Sequence, residues 1–455
     1  MSTTINPATN PIIQGFKSTT NGAADGTGVL ILISRANKLL RGNLPQYLID
    51  YTLSIQNSIF GDYPKKSDIA PSALFMGIFF IFLCAHLFIF FKNWSRGHKF
   101  WLSLLFAFYS LLRVLGFLLR IIWADDILKM RIGMTSSVFV IVPIVLLASF
   151  NLVLAQRIFT WRHPQLGSTK IFWTGMILIY LFVAGIVVMA IVGALIPYIY
   201  FLSQHRYNMC RQVVQAASVL SVLYSLLAMF LVIGAFLIKP IAKDKETWTY
   251  QPWWIQSFSP FYYVPKNSCK LAEESFINRD ENSIDHVRII ASTTEMPHYN
   301  TIEKIHRVSS KSGQLTHNFS ILLIFITTFI LLLSSIFRCV STFLEQQANA
   351  SQSWIYRNWV MYLMFGALEV IVNLLYLIGR VDLRFYRPDK LSKNLLERRK
   401  SSVADLEHTS KGSKSDLEKN DVVDSNQDDT VVVNKNPTMT TNTTPNTDYR
   451  SSSSV

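Results

Sequence analysis

Charged residues are scarce in this sequence. Only 16% of its 455 residues are Asp, Glu, Lys or Arg, whereas soluble proteins usually contain about 25%. Half of the residues are hydrophobic. This composition argues against a soluble protein. It also argues against a nucleic-acid partner, although the formal net charge of +14 would otherwise favour one.

Motifs of catalytic and metal sites are equally scarce. The four cysteines have no metal-ligand spacing, and the nine histidines form neither His-x-His nor His-Glu-x-x-His. The chain has no glycine-rich phosphate-binding loop and no Gly-x-Ser-x-Gly. We therefore expect no enzyme activity, no catalytic residue, no cofactor and no metal.

Long apolar runs are what the sequence has instead. A helix that crosses a bilayer needs roughly 20 mostly apolar residues. Seven runs reach this length, at residues 71–91, 100–123, 134–156, 171–196, 213–238, 318–340 and 355–379. The sequence therefore predicts an all-α membrane protein with a seven-transmembrane helix bundle.

The basic residues predict how this bundle lies in the membrane. About twice as many Lys and Arg flank the helices on the side of the C-terminus as on the side of the N-terminus. Loops rich in Lys and Arg stay in the cytoplasm. We therefore expect the N-terminus outside and the C-terminus inside, in a multi-pass protein of the plasma membrane. The basic inner face would attract anionic lipids.

The predicted helices divide the chain into five parts. These are an N-terminal extracellular segment at 1–70, five helices within 71–240, a long cytoplasmic loop at 241–316, two helices within 317–386, and a disordered cytoplasmic tail at 387–455. The stretch "VLILISRANKLLR" in the first part fits a helix on the membrane surface or an ordinary packed helix. Aromatic residues early in the long loop could enter the lipid headgroup region, cover the inner end of the bundle or pack locally against helix ends.

Three surface features suggest modification. "RRKSS" resembles a site for basophilic kinases, so Ser401 and Ser402 are candidate phosphorylation sites, and phosphate there would weaken attraction to anionic lipid. Asn349 begins a glycosylation sequon in a predicted outer loop. Cys210 and Cys339 fall at the outer ends of neighbouring predicted helices and form a candidate disulfide pair.

Polar residues inside the predicted helices are the most informative, because an ionisable group in a bilayer is costly and usually has a partner. The second helix carries Arg113 and Arg120, seven residues apart and therefore on one face. The seventh helix carries a single polar stripe at helical spacing. Its members are Tyr362, Gly366, Glu369, Asn373, Tyr376 and Arg380.

Depth suggests one pairing among these residues. Arg113 and Glu369 lie roughly 20 and 16 Å from the cytoplasmic ends of their helices, at 1.5 Å per residue. We expect them to form a buried ion pair, with Asn373 and Tyr376 adding hydrogen bonds. Such a pair could fix the register of the helices, or it could sense a ligand, a proton or a conformational state.

In the third helix, Asn151 and Gln156 are expected to hydrogen-bond to neighbouring helices and so to support packing. Pro143 in the same helix predicts a kink.

Several strings of residues resemble one known family. They are "RGHKF" at Arg96–Phe100, "LLRIIWA" at Leu118–Ala124, "NLVLAQRIF" at Asn151–Phe159, "HPQLG" at His163–Gly167 and "LEVIVNLLYLIGRVDLRFYRP" at Leu368–Pro388. The chain thereby resembles an uncharacterised family of fungal seven-helix membrane proteins, some of which are labelled family-C-like G-protein-coupled receptors.

The resemblance implies a seven-helix topology but no established activity. The chain departs from common receptor motifs, since "AQRIF" stands where Asp-Arg-Tyr is usual and "NLLY" lacks a proline. We expect a receptor- or sensor-like protein with a cytoplasmic signalling partner. A lipid or small-molecule transporter and a structural membrane protein are the alternatives.

Overall fold

The structure is a computed structural model. It describes residues 20, 22–39, 44–54, 56–245, 318–344 and 353–386, and the short pieces 248–250, 257–258, 261–267, 270, 273–274, 289–291, 308–309, 394–395, 397–398 and 401. By its internal contacts the chain divides into two units, Met1–Leu395 and Leu396–Val455. In the second unit, Glu397, Arg398 and Ser401 are described.

Within the described residues, seven helices are long and apolar enough to cross a membrane, which confirms the number predicted from the sequence. We call them spans 1 to 7, and they comprise Lys66–Trp94, Leu102–Asp125, Met130–Arg162, Lys170–Ile199, Gln204–Leu237, Phe319–Leu344 and Asn358–Ile378. Six of them extend past the apolar run at one or both ends. Span 5 begins at Gln204, nine residues before its run, because backbone hydrogen bonding continues into polar sequence.

Two spans contain a local break. Span 3 consists of the helices Met130–Ile141 and Pro143–Arg162, and the break lies at the predicted proline, which has no N–H to donate and favours the first position of a helix. Span 7 consists of Asn358–Met361, a π-helix at Tyr362–Ala367 and the helix Leu368–Ile378. Single π-turns inside α-helices are often found at functional sites.

Two further helices, α1 (Val29–Leu39) and α2 (Gln46–Ser54), precede the first span. We call the end of the bundle next to them the upper end, and the opposite end the lower end. The Gly28 N–H donates to the Pro197 carbonyl at 2.8 Å, and Val29 is buried with Trp123 and Met130. The first of the two helices is therefore a packed helix, one of the two expected alternatives.

Large apolar side chains remain exposed on the outside of the bundle. Ile171, Leu178 and Phe329 are 87%, 64% and 65% exposed. An apolar surface of this extent is unfavourable in water and requires cover. A lipid bilayer covers it, so the exposed surface and the length of the spans agree on a membrane protein.

At the lower end, the loop between spans 5 and 6 covers part of the bundle. Tyr262 and Val264 are buried, and the Val264 carbonyl accepts a hydrogen bond from Arg96 at 3.2 Å. The described loop pieces also form two short antiparallel pairs: Trp248–Tyr250 with Ile289–Ala291, and Ser257–Phe258 with Val308–Ser309. Of the roles expected for the loop aromatics, Tyr262 covers this end of the bundle.

Candidate functional site

A buried ion pair joins spans 2 and 7 near the middle of the bundle. Arg113 binds Glu369 through two guanidinium nitrogens, one of them Nε at 2.7 Å from Oε2. Both side chains are 0% exposed. The Tyr109 hydroxyl donates to the same carboxylate. The pair expected from helix depth is therefore present in the structure, in the bidentate form that arginine favours with carboxylates.

The same arginine also reaches span 3. Its Nη1 donates to the Val140 backbone carbonyl, in the last turn before the break at Pro143. Its guanidinium carbon lies 5.4 Å from the ring centre of Phe365, in the π-turn of span 7. Arg113 thus connects three spans, and it does so beside both of the local breaks.

A second polar cluster lies at the upper end, around Arg120. This arginine donates to the Gly61 carbonyl at 2.6 Å and lies 3.6 Å from the Asp68 carboxylate. The Tyr362 hydroxyl contacts Ser72 at 2.6 Å and donates to the Asp68 carbonyl at 3.2 Å. The sequence placed Arg120 inside the bundle but did not reveal its partners, because Asp68 and Gly61 come from a segment outside the predicted apolar runs.

A third cluster surrounds Asn151 in the lower half of span 3. Its side-chain oxygen accepts from the Tyr376 hydroxyl at 2.7 Å and from Thr327 at 3.2 Å. Its amide nitrogen donates to Thr328 at 3.3 Å. Asn151 thereby joins spans 3, 6 and 7, and it lies where the sequence placed a residue that supports helix packing.

Two expectations for this region need adjustment. Tyr376 does not bond to the ion pair but to Asn151, because it lies two helical turns below Glu369. Asn373 donates to the backbone carbonyl of Glu369 at 2.9 Å, and not to its carboxylate.

Gln156 accepts from the Tyr180 hydroxyl at 3.2 Å, which places it at the contact between spans 3 and 4.

The fourth cluster lies at the lower end, just after span 7. Arg380 binds Asp382 through two nitrogens at 3.0 and 2.9 Å and donates to the Tyr262 carbonyl at 2.7 Å. Asn93 donates to the same carboxylate at 2.8 Å. These contacts hold Arg380 at a φ of 47°, a left-handed conformation that is uncommon for residues other than glycine. The sequence singled out Arg380 but not its partner.

The carboxyl of Asp382 is held in its charged form. Burial by itself would raise its pKa, but the hydrogen bonds and positive charge of Arg380, together with the hydrogen bond from Asn93, outweigh burial and lower the pKa below the usual range. A carboxylate whose pKa is lower in the folded state stabilises the fold above its unfolded pKa. This stabilisation is lost as the pH falls through the folded-state pKa.

Replacement of Asp382 by asparagine should therefore have a pH-dependent effect. At pH 7 the Asp382→Asn variant should be less stable by about 2 kcal/mol, the usual value of hydrogen bonds to a charged group. The difference should shrink below about pH 4, where free aspartate itself takes up a proton. Thermal unfolding in detergent between pH 3 and 7 measures the stability difference at pH 7 and its decrease at lower pH. Asp126→Asn, at a carboxylate whose side chain is 41% exposed, is the control and should follow the wild type. A stability difference between Asp382→Asn and the wild type that stays constant with pH would contradict the charged state assigned to Asp382.

A cavity of about 270 Å³ occupies the upper half of the bundle. Spans 2 to 7 contribute to its wall, and residues 56–60 and Tyr63 form its roof. The roof is attached to the bundle, because Asn57 donates to the Tyr207 hydroxyl and Tyr63 packs edge-on against Trp123 at 5.9 Å. The cavity is of the scale of small-molecule sites.

The polar lining of the cavity is mostly cationic or hydroxyl-bearing. Arg120, Arg211 and Arg338 line it, and none of the described lining residues is Asp, Glu or Lys. Val140 also lines it. Val140 therefore contacts both the cavity and Arg113. A molecule bound next to Val140 would be separated from the buried ion pair by this residue.

The remaining predicted residues lie apart from these clusters. Cys210 and Cys339 are free thiols, so the candidate disulfide is absent. The Cys339 sulfur instead contacts Ser218 at 3.4 Å. Ser218 is eight residues beyond Cys210, or roughly 12 Å along span 5, which is too far for a disulfide. Ser401 is exposed and donates to the Arg398 carbonyl at 2.8 Å. Ser402 and Asn349 lie outside the described residues.

Among the residues that the structure describes, no group of three His, Cys, Asp or Glu is placed to hold a metal ion. The four clusters are ion pairs and hydrogen-bonded networks within the bundle. Fold and clusters together define a polytopic membrane protein with seven spans and an internal polar core.

Residues 164–386 match the model of a family described as "Protein of unknown function (DUF3112)". The resemblance to an uncharacterised family is thereby confirmed. The match covers spans 4 to 7 and includes Arg338 and Glu369. It does not include the resembling strings between residues 96 and 159. No curated protein and no solved structure matches the chain.

Proposed function

We propose that this protein is a receptor- or sensor-like membrane protein that binds a small ligand in the upper cavity. The observation that carries the proposal is the position of Val140. This residue lines the cavity, and its carbonyl accepts a hydrogen bond from Arg113. A ligand that moves this part of span 3 would act directly on the ion pair.

The polar clusters supply a route from the ion pair to the lower end. Glu369 is joined to Asn373 through its backbone, and Tyr376, one turn further on, is joined to Asn151. The lower end then carries the Arg380–Asp382 pair. Because the ion pair and the Asn151 cluster each join span 7 to other spans, a shift of span 7 would require both to rearrange together.

The distribution of basic residues supports an orientation with the lower end in the cytoplasm. Lys92, Arg96, Arg157, Arg380 and Arg384 all lie at that end. The cavity would then face the outside, and the long loop and the tail would face cytoplasmic partners and anionic lipids of the plasma membrane. The receptor label carried by some of the resembling fungal proteins agrees with this arrangement.

A transporter is the second candidate, since buried polar side chains occur at four levels from the upper to the lower end. Packed aromatic rings lie between two of these levels. The rings of Phe106 and Tyr376 stack at 4.8 Å between the ion pair and the lower end, and Phe150 packs edge-on against Phe106 at 5.0 Å. Closed packing of this kind favours relay of a conformational change over passage of a substrate.

The test uses the full chain with a proximity-labelling enzyme fused to its tail. We expect labelled proteins of the cytoplasm that include a signalling protein such as a G-protein subunit. Filling the cavity with Ala190→Phe should change the labelling of that partner severalfold. The matched control on the same span is Val188→Phe, because Val188 is 59% exposed and does not line the cavity.

Equal labelling by the two phenylalanine variants would remove the support for a receptor. Labelling of proteins outside the cell would overturn the orientation. If variants of Arg113 or Glu369 instead change the accumulation of a substrate while the labelled partners stay the same, the transporter is the better description.

A further inference from the structure

Three arginines line the upper cavity. Arg120, Arg211 and Arg338 come from spans 2, 5 and 6. They lie at a common depth, roughly 8–11 Å below the upper ends of their helices at 1.5 Å per residue. Three arginines from separate helices thus line the cavity at one level.

Arg338 is the arginine that most needs a partner. Arg120 has the Asp68 carboxylate 3.6 Å away and the Gly61 carbonyl. Within the described part of the chain, no carboxylate lies at ion-pair distance from Arg338, whose side chain lines the cavity. A cation away from water is costly unless an anion compensates it.

The rest of the wall limits what that anion can be. Spans 3 to 5 line the cavity with aliphatic side chains such as Ile141, Val145, Val187, Ile191 and Val214. Inorganic phosphate would leave this surface uncovered. A phospholipid with two long acyl chains is far larger than about 270 Å³. The wall therefore suits a compact molecule with one acidic group and one apolar body.

We propose that the cavity binds a small organic acid, such as a medium-chain carboxylic acid, with its carboxylate on Arg338 and its apolar part against spans 3 to 5. Arginine presents a planar pair of donors to a carboxylate, and the bond is strong where water is excluded. This inference rests on the proposed function and names the chemistry of its ligand.

The test is calorimetric titration of the full chain in nanodiscs of zwitterionic lipid, with empty nanodiscs subtracted. Octanoate is the probe, and octanol is its neutral match. We expect saturable binding of octanoate and at least tenfold weaker binding of octanol. Arg338→Gln should weaken octanoate binding at least tenfold, which corresponds to about 1.4 kcal/mol, and should leave octanol unchanged.

Control variants separate this effect from a general loss of charge or fold. Arg131→Gln removes an exposed arginine from the same end of the bundle that does not line the cavity, and it should bind octanoate like the wild type. Arg338→Lys keeps the charge without the planar donor pair and should bind octanoate with intermediate affinity. This variant keeps the test decisive even if Arg338→Gln does not fold.

Three results would overturn the inference. They are equal binding of octanoate and octanol, equal effects of the variants at Arg338 and Arg131, and binding of inorganic phosphate as tight as that of octanoate. A further titration with octanoate uses nanodiscs that contain phosphatidylglycerol. Loss of octanoate binding there would assign the site to a lipid headgroup and reject the small acid.

The outcome is separable from that of the proposed function. Binding of octanoate that depends on Arg338, with no change of labelled partners in Ala190→Phe, would keep the site and reject the receptor. A partner that responds to Ala190→Phe without any octanoate binding would keep the receptor and reject the organic acid.

Discussion

Replacing Glu369 by leucine should leave Arg113 as an uncompensated cation in the middle of the bundle and lower the free energy of unfolding by about 3–5 kcal/mol. The cost is high because both side chains are 0% exposed, so water cannot solvate the remaining charge. Arg113→Leu should have a comparable effect, since it leaves the carboxylate without its counter-charge. Thermal unfolding in detergent and the amount of protein recovered from membranes measure the loss.

The double variant is the decisive comparison. Arg113→Leu with Glu369→Leu removes both charges and should recover most of the stability that either single change loses, because two apolar side chains can replace a buried pair at little cost. Tyr109→Phe serves as the control, since it removes one hydrogen bond to Glu369 and leaves the charges paired. A double variant no more stable than the single ones would show that the two residues act independently.

Enlarging Gly133 should have the second large effect. A Cβ at this position would overlap the indole ring of Trp123. That ring is 2% exposed and packs against Tyr63 in the roof of the cavity, so it cannot shift without disturbing the roof. We expect Gly133→Leu to cost about 3 kcal/mol or more, at the upper end of overpacking effects, and to displace the roof of the cavity.

The matched control is Gly77→Leu in span 1, where a Cβ would have no neighbour within 4 Å. It should fold like the wild type. The melting temperature in detergent and the intrinsic tryptophan fluorescence measure the two variants side by side. Equal melting temperatures of the two variants would contradict the close packing of Gly133 against Trp123.

The sequence predicted the spans because their physical cause is local. Roughly 20 consecutive apolar residues require a helix in a bilayer, whatever the rest of the chain does. The polar stripe of span 7 was readable for the same reason, since helical periodicity alone places Glu369 and Asn373 on one face. The Arg113–Glu369 pair followed from depth, because the length of each helix below a residue measures its distance from the membrane surface.

The partners that the sequence did not reveal are set by packing between distant segments. Asp68 and Asp382 lie just outside the apolar runs, where an acidic residue is usually a solvated one, and only the fold buries them next to Arg120 and Arg380. The backbone carbonyl of Val140 has no signature in any sequence. The cavity, too, depends on how six spans and the roof pack together, which no local pattern records.

The π-helix of span 7 gives that helix one spare residue. Relaxation of the wide turn at Tyr362–Ala367 into regular α-helix would turn everything below it by about 100° and advance it by about 1.5 Å. Glu369 and Tyr376 would then leave Arg113 and Asn151 at the same moment. One change of register in span 7 would therefore break its contacts with spans 2 and 3 together, because the ion pair and the Tyr376–Asn151 hydrogen bond both lie below the wide turn.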